Sequence, residues 1–440
     1  MATWLEKWEP ENPEFWAKTG SKIAWRTLII TTATLVLSFA TWFMMSAIVV
    51  RLPNIGFKFS PMDLFWLAAM PGLAGGTLRL IHTFIIPIFG TRHVVTVATF
   101  LKLIPCIGIG LAINNPSTPF WVFMLLALAA GFGGGDFSSY MPSTSLFFPK
   151  RLQGTALGIQ AGIGNFGVSL AQFVTPWIVS FAALGAVVGP SQTFVKGEVS
   201  KPIWLQNAAY WYVPLLVVFG VLAWIYLRSV PIRASVRQQF DIFGNKHTWI
   251  MTSLYVMTFG SFSGFSAAFP LMIKSVYGHF PNAPDPLTYA FIGPLVGSVI
   301  RVVMGPPSDK WGGAIWTLLS GFGLLACSIG VTFFTTPTSL DSFPMFVTLM
   351  IGLFLFAGIG NASTFRQIPI IFEPRQAGGV LGFTGAIAAY GPFLFSVAIG
   401  AVIGSTGNPN LFFYIAAVFY AANIALNWWF YTRKGCEKPC

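Results

Sequence analysis

The stretch GGGDFSSYMPSTSLFFPK (133–150) aligns without a gap with GIGNASTFRQIPIIFEPR (358–375), 225 residues further along the chain. Both stretches run on into a glycine-rich segment, LQGTALGIQAGIGNFG in the first case and QAGGVLGFTGAIAAYG in the second. Because the offset is about half of the 440 residues, we infer an internal duplication. The duplication predicts two similar halves with a ligand site between them.

The composition is that of an integral membrane protein. Hydrophobic residues make up 55% of the chain and charged residues only 9%, whereas soluble proteins carry roughly 25% charged residues. The apolar runs are long enough for membrane-spanning helices of about 20 residues, and they lack the alternation of a transmembrane β-barrel. The net charge of +12 does not indicate nucleic-acid binding, because the basic residues are scattered at the ends of apolar runs.

The predicted fold class is an all-α membrane protein with twelve transmembrane helices in two pseudo-symmetric bundles of six. Breaks between apolar runs place the spans at residues 24–50, 61–89, 93–114, 119–147, 154–184, 207–229, 248–273, 288–308, 312–335, 342–371, 376–406 and 409–432. The predicted domains are a lead-in (1–23), a first bundle (24–229), a linker (230–247), a second bundle (248–432) and a tail (433–440).

Basic residues in and beside the linker set the expected orientation. Arg228, Arg233, Arg237 and Lys246 mark this segment as cytoplasmic, and the basic tail falls on the same side. Both termini are therefore expected in the cytoplasm. No metal or cofactor is expected, since the terminal CEKPC has no histidine near it and the spans contain no catalytic motif. We therefore do not expect an enzyme.

Two arginines lie inside long apolar stretches at matching places in the two halves. Arg79 and Arg301 each follow a glycine by four positions and precede another by eleven. An unpaired arginine near a bilayer centre costs about 2.5–3.5 kcal/mol. A chain that bears this cost twice, at equivalent points, is expected to use the charges, and the simplest use is to bind an anion.

The loop GPPSDKWGG (305–313) joins the eighth and ninth predicted spans. It resembles the loop signature of the major facilitator superfamily, whose glycine, acidic, basic and glycine positions are here Gly305, Asp309, Lys310 and Gly312. This resemblance implies a conformational switch, in which Asp309 pairs with a neighbouring helix in one state and releases it in the other.

The two glycine-rich segments resemble the paired signatures of the nitrate/nitrite porter family. The Trp-rich opening WEPENPEFW, the two arginines and YVMTFGSFSGFS also look like that family, so the resemblance covers essentially the whole chain. It is closest to the bacterial respiratory porters that exchange nitrate for nitrite, and it implies a bacterial transporter of both anions in the cytoplasmic (inner) membrane. It also implies a monomer in the lipid bilayer. Respiration and nitrate assimilation both remain open as its role.

The resemblance also implies the residues that bind the anion. Nitrate is a planar monoanion, and a guanidinium group is planar, permanently charged and able to bond two oxygens. The residues implied are the clamp Arg79 and Arg301, the amide donor Asn165, the hydroxyl donor Tyr255, the aromatic covers Phe137 and Phe259, and Ala161, where the family often has glycine.

Three charged residues depart from the family pattern. Asp136 stands where asparagine is usual, and Arg366 stands where an uncharged amide is common. We expect these two to form an ion pair between the halves, because a lone charge there would be costly. The alternative is that Asp136 carries protons. Lys102 is expected to snorkel along lipid to the interface, and His82 to be a hydrogen-bonded core histidine.

Three functions remain to be weighed. The first is alternating-access exchange, in which nitrate enters and nitrite leaves and the carrier reorients only when loaded. The second is nitrate import coupled to protons through Asp136 or His82. The third is a sensor that binds nitrate without transporting it, since a fold alone does not determine function.

Overall fold

The computed structural model of the chain describes residues 3–182, 188–231 and 241–440. Two basic residues of the predicted linker, Arg233 and Arg237, lie outside the described residues, as does the end of the fifth predicted span. Within the described ranges the chain is almost entirely helical, so the predicted all-α class is confirmed.

Ten α-helices precede Leu227 in the described residues. They are α1 (Pro13–Phe15), α2 (Ser21–Ile48), α3 (Pro61–Leu101), α4 (Leu103–Asn114), α5 (Phe120–Ala130), α6 (Phe132–Gly135), α7 (Phe137–Phe147), α8 (Lys150–Ile178), α9 (Asn207–Tyr210) and α10 (Tyr212–Tyr226). A two-stranded antiparallel hairpin, β1 (Gln192–Lys196) and β2 (Val199–Ile203), precedes α9, with Val195 paired to Ser200.

The second half of the chain has the same character. Its helices are α11 (Lys246–Tyr255), α12 (Ser261–Tyr277), α13 (Pro286–Ala290), α14 (Ile292–Val303), α15 (Gly305–Trp311), α16 (Gly313–Val331), α17 (Phe343–Ile371), α18 (Pro374–Ala388), α19 (Gly391–Thr406) and α20 (Asn410–Asn427). Single π-helical turns extend this pattern at Trp16–Gly20, Val256–Gly260 and Trp428–Thr432.

Ten helical stretches of the described chain are long and apolar enough to cross a bilayer. One of them, Pro61–Asn114, has 54 residues, which is about 80 Å of helix at 1.5 Å per residue and far exceeds the hydrocarbon core. Its helical geometry breaks at Gly90, whose φ is 74° and ψ is 159°. The break lies between the second and third predicted spans, so this stretch accommodates both.

The corresponding break in the second half lies at Gly312, eleven residues after Arg301. Its φ is 86° and its ψ is 149°, nearly the values of Gly90. A residue with a side chain rarely adopts this backbone conformation, which explains the glycine at both places. The duplication seen in the sequence therefore extends to the backbone angles of the turns that follow the two arginines.

Glycines allow the helices that carry the arginines to approach their neighbours closely. A Cβ added at Gly134 would lie 2.6 Å from the Cα of Gly75, and one at Gly358 would lie 2.9 Å from the Cα of Gly297. In each half, therefore, the glycine four residues before the arginine meets a glycine of the motif first aligned in the sequence. Close approach through small residues is a common way to pack helices in membranes.

Several polar contacts join the two halves at one end of the molecule. Arg51 forms an ion pair with Asp285, and Lys274 donates to the Asn54 amide oxygen at 3.2 Å. The β1–β2 hairpin takes part, since Lys196 donates to the Ala283 carbonyl at 2.7 Å. These four side chains and the hairpin form a polar latch between the halves.

Gly133→Ala is expected to destabilise the fold by about 1–3 kcal/mol through overpacking. The new Cβ would lie 2.1 Å from the carbonyl oxygen of Ser38, a backbone atom that cannot move without shifting α2. Thermal unfolding of the purified protein in detergent measures the effect. Gly154→Ala on α8 is the control, because a Cβ there meets no described heavy atom within 4 Å. Equal melting temperatures for the two variants would contradict this packing.

Candidate anion site

Arg79 is fully buried and holds the two halves together at its position. Its Nε donates to the Gly134 carbonyl at 2.8 Å, and its Nη1 donates to the Gly385 carbonyl at 2.9 Å. Its Nη2 is buried and has no hydrogen-bond partner among the described residues. The guanidinium is thus fixed by two carbonyl groups and has one nitrogen left for a ligand.

Arg301 is held more loosely. It is 6% exposed, and its Nη2 donates to the Tyr255 hydroxyl at 3.4 Å. Its Nη1 is buried and also without a partner in the part of the chain that the structure describes. Each arginine therefore presents an unsatisfied donor. A buried polar group left without a hydrogen bond costs about 1–3 kcal/mol, and more when it is charged.

Aromatic rings bring the two arginines into one cage. The ring of Phe137 lies 4.8 Å from the Cζ of Arg79 and 6.0 Å from the Cζ of Arg301, so it contacts both. Phe259 lies 5.1 Å from the Cζ of Arg79, and its ring stacks on that of Tyr255 at 5.4 Å. The structure thus brings together five of the predicted site residues. Aromatic faces stabilise the cations, and the rings exclude water.

Asn165 is a further candidate ligand, on α8. It is fully buried, and neither its amide nitrogen nor its amide oxygen has a partner among the residues described. Ala161 lies one helical turn earlier on the same face and is 5% exposed. An amide that is buried with both ends unsatisfied is expected to bind a polar ligand, in agreement with its predicted role.

Asp136 does not pair with Arg366, so the predicted ion pair between the halves is wrong. One carboxylate oxygen of Asp136 accepts from the Lys102 ammonium and from the Ser38 hydroxyl, the latter at 2.6 Å. Arg366 instead pairs with Asp309 at 2.5 Å. The physical reason is proximity, because each charged group lies next to an opposite charge from its own half of the chain. Asp136 lies next to Lys102, and Arg366 lies next to Asp309.

Lys102 does not snorkel to the interface, which corrects the second expectation. It is fully buried, pairs with Asp136 and also donates to the Ala98 carbonyl at 2.8 Å. A partner inside the bundle stabilises the ammonium better than a long path to the interface. His82 is hydrogen-bonded to Ser139 at 3.1 Å, and it lies 3.8 Å from the other Asp136 oxygen.

The predicted switch loop lies apart from the arginine cage. Its Asp309 is on α15 and pairs with Arg366 of the neighbouring helix α17, as the loop signature implies for one state. Lys310 lies 5.0 Å from the Trp311 ring, and Gly312 forms the break before α16. Gly305 begins α15. Through this ion pair the loop contacts α17, the helix that also carries a residue of the cage.

That residue is Phe365, which sequence reasoning missed. Its ring lies 5.3 Å from the Cζ of Arg301 and 6.1 Å from the ring of Phe137. One turn earlier, Asn361 is fully buried, and both ends of its amide lack a partner in the described ranges. The repeat alignment could have identified Asn361 as a candidate, because this residue occupies the position of Asp136 in the second copy of the motif.

Two groups of the first half were also missed. Trp42 lies 5.2 Å from the Cζ of Arg79 and donates from its indole to the Pro71 carbonyl at 2.8 Å. The carbonyl of Gly134 accepts from Arg79. Nothing in the sequence distinguishes this tryptophan among 16, or this carbonyl among many.

Comparisons with known proteins identify the family of the chain. Residues 30–369 match the Major Facilitator Superfamily. The chain is 63% identical over 439 residues to the probable nitrate/nitrite antiporter NarK2 of Thermus thermophilus, covering 100% of this chain and 98% of that protein. It is 39% identical to the nitrate/nitrite transporter NarU of Escherichia coli (strain K12), covering 98% and 96% respectively.

A solved structure shows the same fold. A bacterial homologue of the human lysosomal transporter Spinster, in an inward-facing and occupied conformation, superposes with a TM-score of 0.66 at 13% identity. The match covers 91% of this chain and 95% of that one. At this identity the likeness concerns the fold alone.

Asn165→Leu and Asn361→Leu are expected to keep or raise the melting temperature of the anion-free protein, because each removes an unsatisfied buried amide. Both are expected to reduce the rise in melting temperature that added nitrate produces, since bound ligand stabilises the fold by mass action. Thermal unfolding with and without nitrate measures both effects.

Asn427→Leu is the matched control for these two variants. The Asn427 amide donates to the Ala314 carbonyl at 2.8 Å, so its loss should lower the melting temperature and leave the nitrate effect intact. A full nitrate effect in both Asn165→Leu and Asn361→Leu would remove these residues from the site.

Proposed function

The chain belongs to the Major Facilitator Superfamily and, within it, to the nitrate/nitrite porters, and from this premise we propose that it imports nitrate in exchange for nitrite. The observation that carries the proposal is the pair of buried guanidinium groups, each with an unpartnered nitrogen among the described residues. Both groups contact the ring of Phe137. A planar anion between them would satisfy both donors at once.

The proposed architecture is that of twelve spans in two six-helix bundles, with the bounds predicted from the sequence. Alternating access then consists of rocking the bundles around the arginine cage. The latch joins two connections on the side opposite the basic loops. Arg51 and Asn54 lie between the first and second spans, and Lys274 and Asp285 lie between the seventh and eighth. We place the latch on the outer side, where it would close the path to the cage and break when the carrier reorients.

The location follows from the family and the distribution of charge. We place the protein in the cytoplasmic membrane of a bacterium, as a monomer, with both termini in the cytoplasm. The role that we propose is in nitrate respiration or in nitrate assimilation.

Charge in the cage favours obligatory exchange. Lys102 compensates Asp136, so the two arginines leave the empty cage with two uncompensated positive charges, which repel each other in a dry cavity. One bound monoanion reduces this repulsion and lets the bundles close around it. The empty carrier should therefore resist reorientation, and the loaded carrier should permit it.

Proton-coupled import would need a group that gains and loses a proton during each cycle. One oxygen of Asp136 accepts from Lys102 and Ser38, whereas its other oxygen is buried, lacks a hydrogen-bond partner among the described residues and lies 3.8 Å from the Nδ1 of His82. Asp136 and His82 are therefore the groups that proton coupling would use. Exchange needs no titrating group, because the positive charge of the two arginines is sufficient for it.

Proteoliposomes distinguish the mechanisms. Uptake of external nitrate is expected to require nitrite or nitrate inside the vesicles and to be insensitive to an imposed pH gradient. The measurement is isotopic nitrate counterflow with the internal anion and both pH values controlled. Strong uptake into anion-free vesicles, driven by a pH gradient, would establish proton coupling instead. Nitrate binding without any flux would indicate a sensor.

Arg79→Lys and Arg301→Lys are each expected to lower exchange by at least about tenfold, although the charge is kept. Lysine carries its three donors on one tetrahedral nitrogen, so it lacks the planar group with which Arg79 reaches Gly134 and Gly385 from separate nitrogens and still presents a third. Initial rates of counterflow, normalised to folded protein, measure the loss. The control is Lys246→Arg on the exposed Lys246–Glu437 pair. Wild-type rates in either arginine variant would refute the clamp.

A further inference from the structure

We propose that the buried Lys102–Asp136 pair is a positioning pair for the anion cage: it holds the segment 134–137, which supplies both a carbonyl partner and an aromatic face to Arg79. The proposal rests on the proposed function for its ligand, and on the geometry alone for its structural part. Neither residue forms a hydrogen bond with the arginines within the described residues, so the effect is indirect.

The segment 134–137 is short and carries two groups of the cage. The Gly134 carbonyl accepts from the Nε of Arg79, and the Phe137 ring contacts both guanidinium groups. Asp136 lies between these two residues, at the junction of α6 and α7. Any displacement of Asp136 would therefore move the carbonyl and the ring together.

Side chains that could hold this segment are scarce. Residues 133–135 are all glycine and pack through backbone atoms alone, with Gly134 against Trp42. Asp136 is the first residue after them whose side chain makes strong bonds, since one of its oxygens accepts from Lys102 and from Ser38. The position of the segment thus depends on this carboxylate.

The partner is anchored as firmly as Asp136 itself. Lys102 lies at the junction of α3 and α4, and its ammonium also donates to the Ala98 carbonyl at 2.8 Å. Both charges are fully buried. The ion pair therefore joins two helix junctions, and one of them ends the part of α3 that follows the break at Gly90.

Removing one member of a buried pair leaves the other charge uncompensated. Such a change is strongly destabilising, whereas replacing both members by neutral groups of similar size can have little net effect on stability. We therefore expect either single substitution to displace the segment, because the remaining charge must seek a new partner or water. The double substitution should leave the segment in place.

The experiment compares Lys102→Met, Asp136→Asn and the double variant Lys102→Met/Asp136→Asn, as full-length protein in nanodiscs. The affinity for nitrate is measured at pH 8, well above the usual histidine pKa of about 6.5, so that His82, which faces Asp136, stays neutral. Both single variants are expected to weaken nitrate binding by at least about tenfold, and the double variant to lie within about threefold of wild type.

The direction of the change in nitrate affinity in the two single variants distinguishes positioning from a purely electrostatic effect. If the pair acted only through its charge, Lys102→Met would leave a carboxylate near the cage and weaken anion binding, whereas Asp136→Asn would leave an ammonium and strengthen it. Tighter nitrate binding in Asp136→Asn would overturn the proposal. So would unchanged affinity in both single variants, which would limit the pair to folding.

Hydrogen–deuterium exchange in the anion-free protein tests the geometry without any ligand. The amides of Ser139 and Tyr140 donate to the Asp136 carbonyl, and the amide of Gly134 donates to that of Gly131. Exchange over residues 131–140 should rise in both single variants and return to wild-type rates in the double variant. Unchanged exchange in the single variants would refute positioning, whether or not the wild type binds nitrate.

A destabilised control excludes a general loss of fold. Asn427→Leu removes a buried hydrogen bond to Ala314, away from the segment 134–137. It should lower the melting temperature and leave both the nitrate affinity and the exchange at 131–140 unchanged. If it changed both in the same way as the single variants, the effect would be one of stability, and the proposal would fail.

Discussion

The structure depends on keeping two guanidinium groups inside a membrane protein, and neither has a carboxylate partner among the described residues. Arg79 is bonded to two carbonyl groups and Arg301 to the hydroxyl of Tyr255, and the ring of Phe137 contacts both. These contacts satisfy part of the donors. The carboxylate of Asp136 is paired with Lys102. The two arginines therefore keep a net positive charge and unsatisfied donors, which is the basis of the proposed anion site.

The duplication places the two arginines at equivalent positions, and the two copies differ in the groups that contact them. The two arginines, the glycines before them and the positive φ angles at Gly90 and Gly312 match closely. The hydrogen bonds of the arginines do not match, because one is held by carbonyls and the other by a hydroxyl. The repeated parts of the chain thus position two equivalent arginines whose contacts differ.

Much of this could be predicted from the sequence. Hydrophobic runs and their breaks predict an all-helical membrane protein, because the cost of unsatisfied backbone in lipid leaves few alternatives. The repeat and the family motifs identify Arg79, Arg301, Tyr255, Phe137 and Phe259, and the structure brings these five together. The wrong predictions concern the groups that pair with buried charges. The sequence predicts that Lys102 lies along lipid and that Asp136 pairs with Arg366. A linear pattern shows that a charge in the membrane is costly, but it does not show the direction in which the side chain points.

The sequence by itself determined the helical class, the duplication and the two arginines at equivalent positions. These depend on local composition and on spacing along the chain, which are properties of the sequence itself. Only the tertiary structure decided that Lys102 pairs with Asp136, that Asp309 pairs with Arg366, and that Phe365 contacts Arg301. The reason is that the free energy of an ion pair depends on the separation of the two charges and on the balance between their attraction and the cost of burying them. Helix rotation and packing set these distances, and they are fixed only when all the helices are in place.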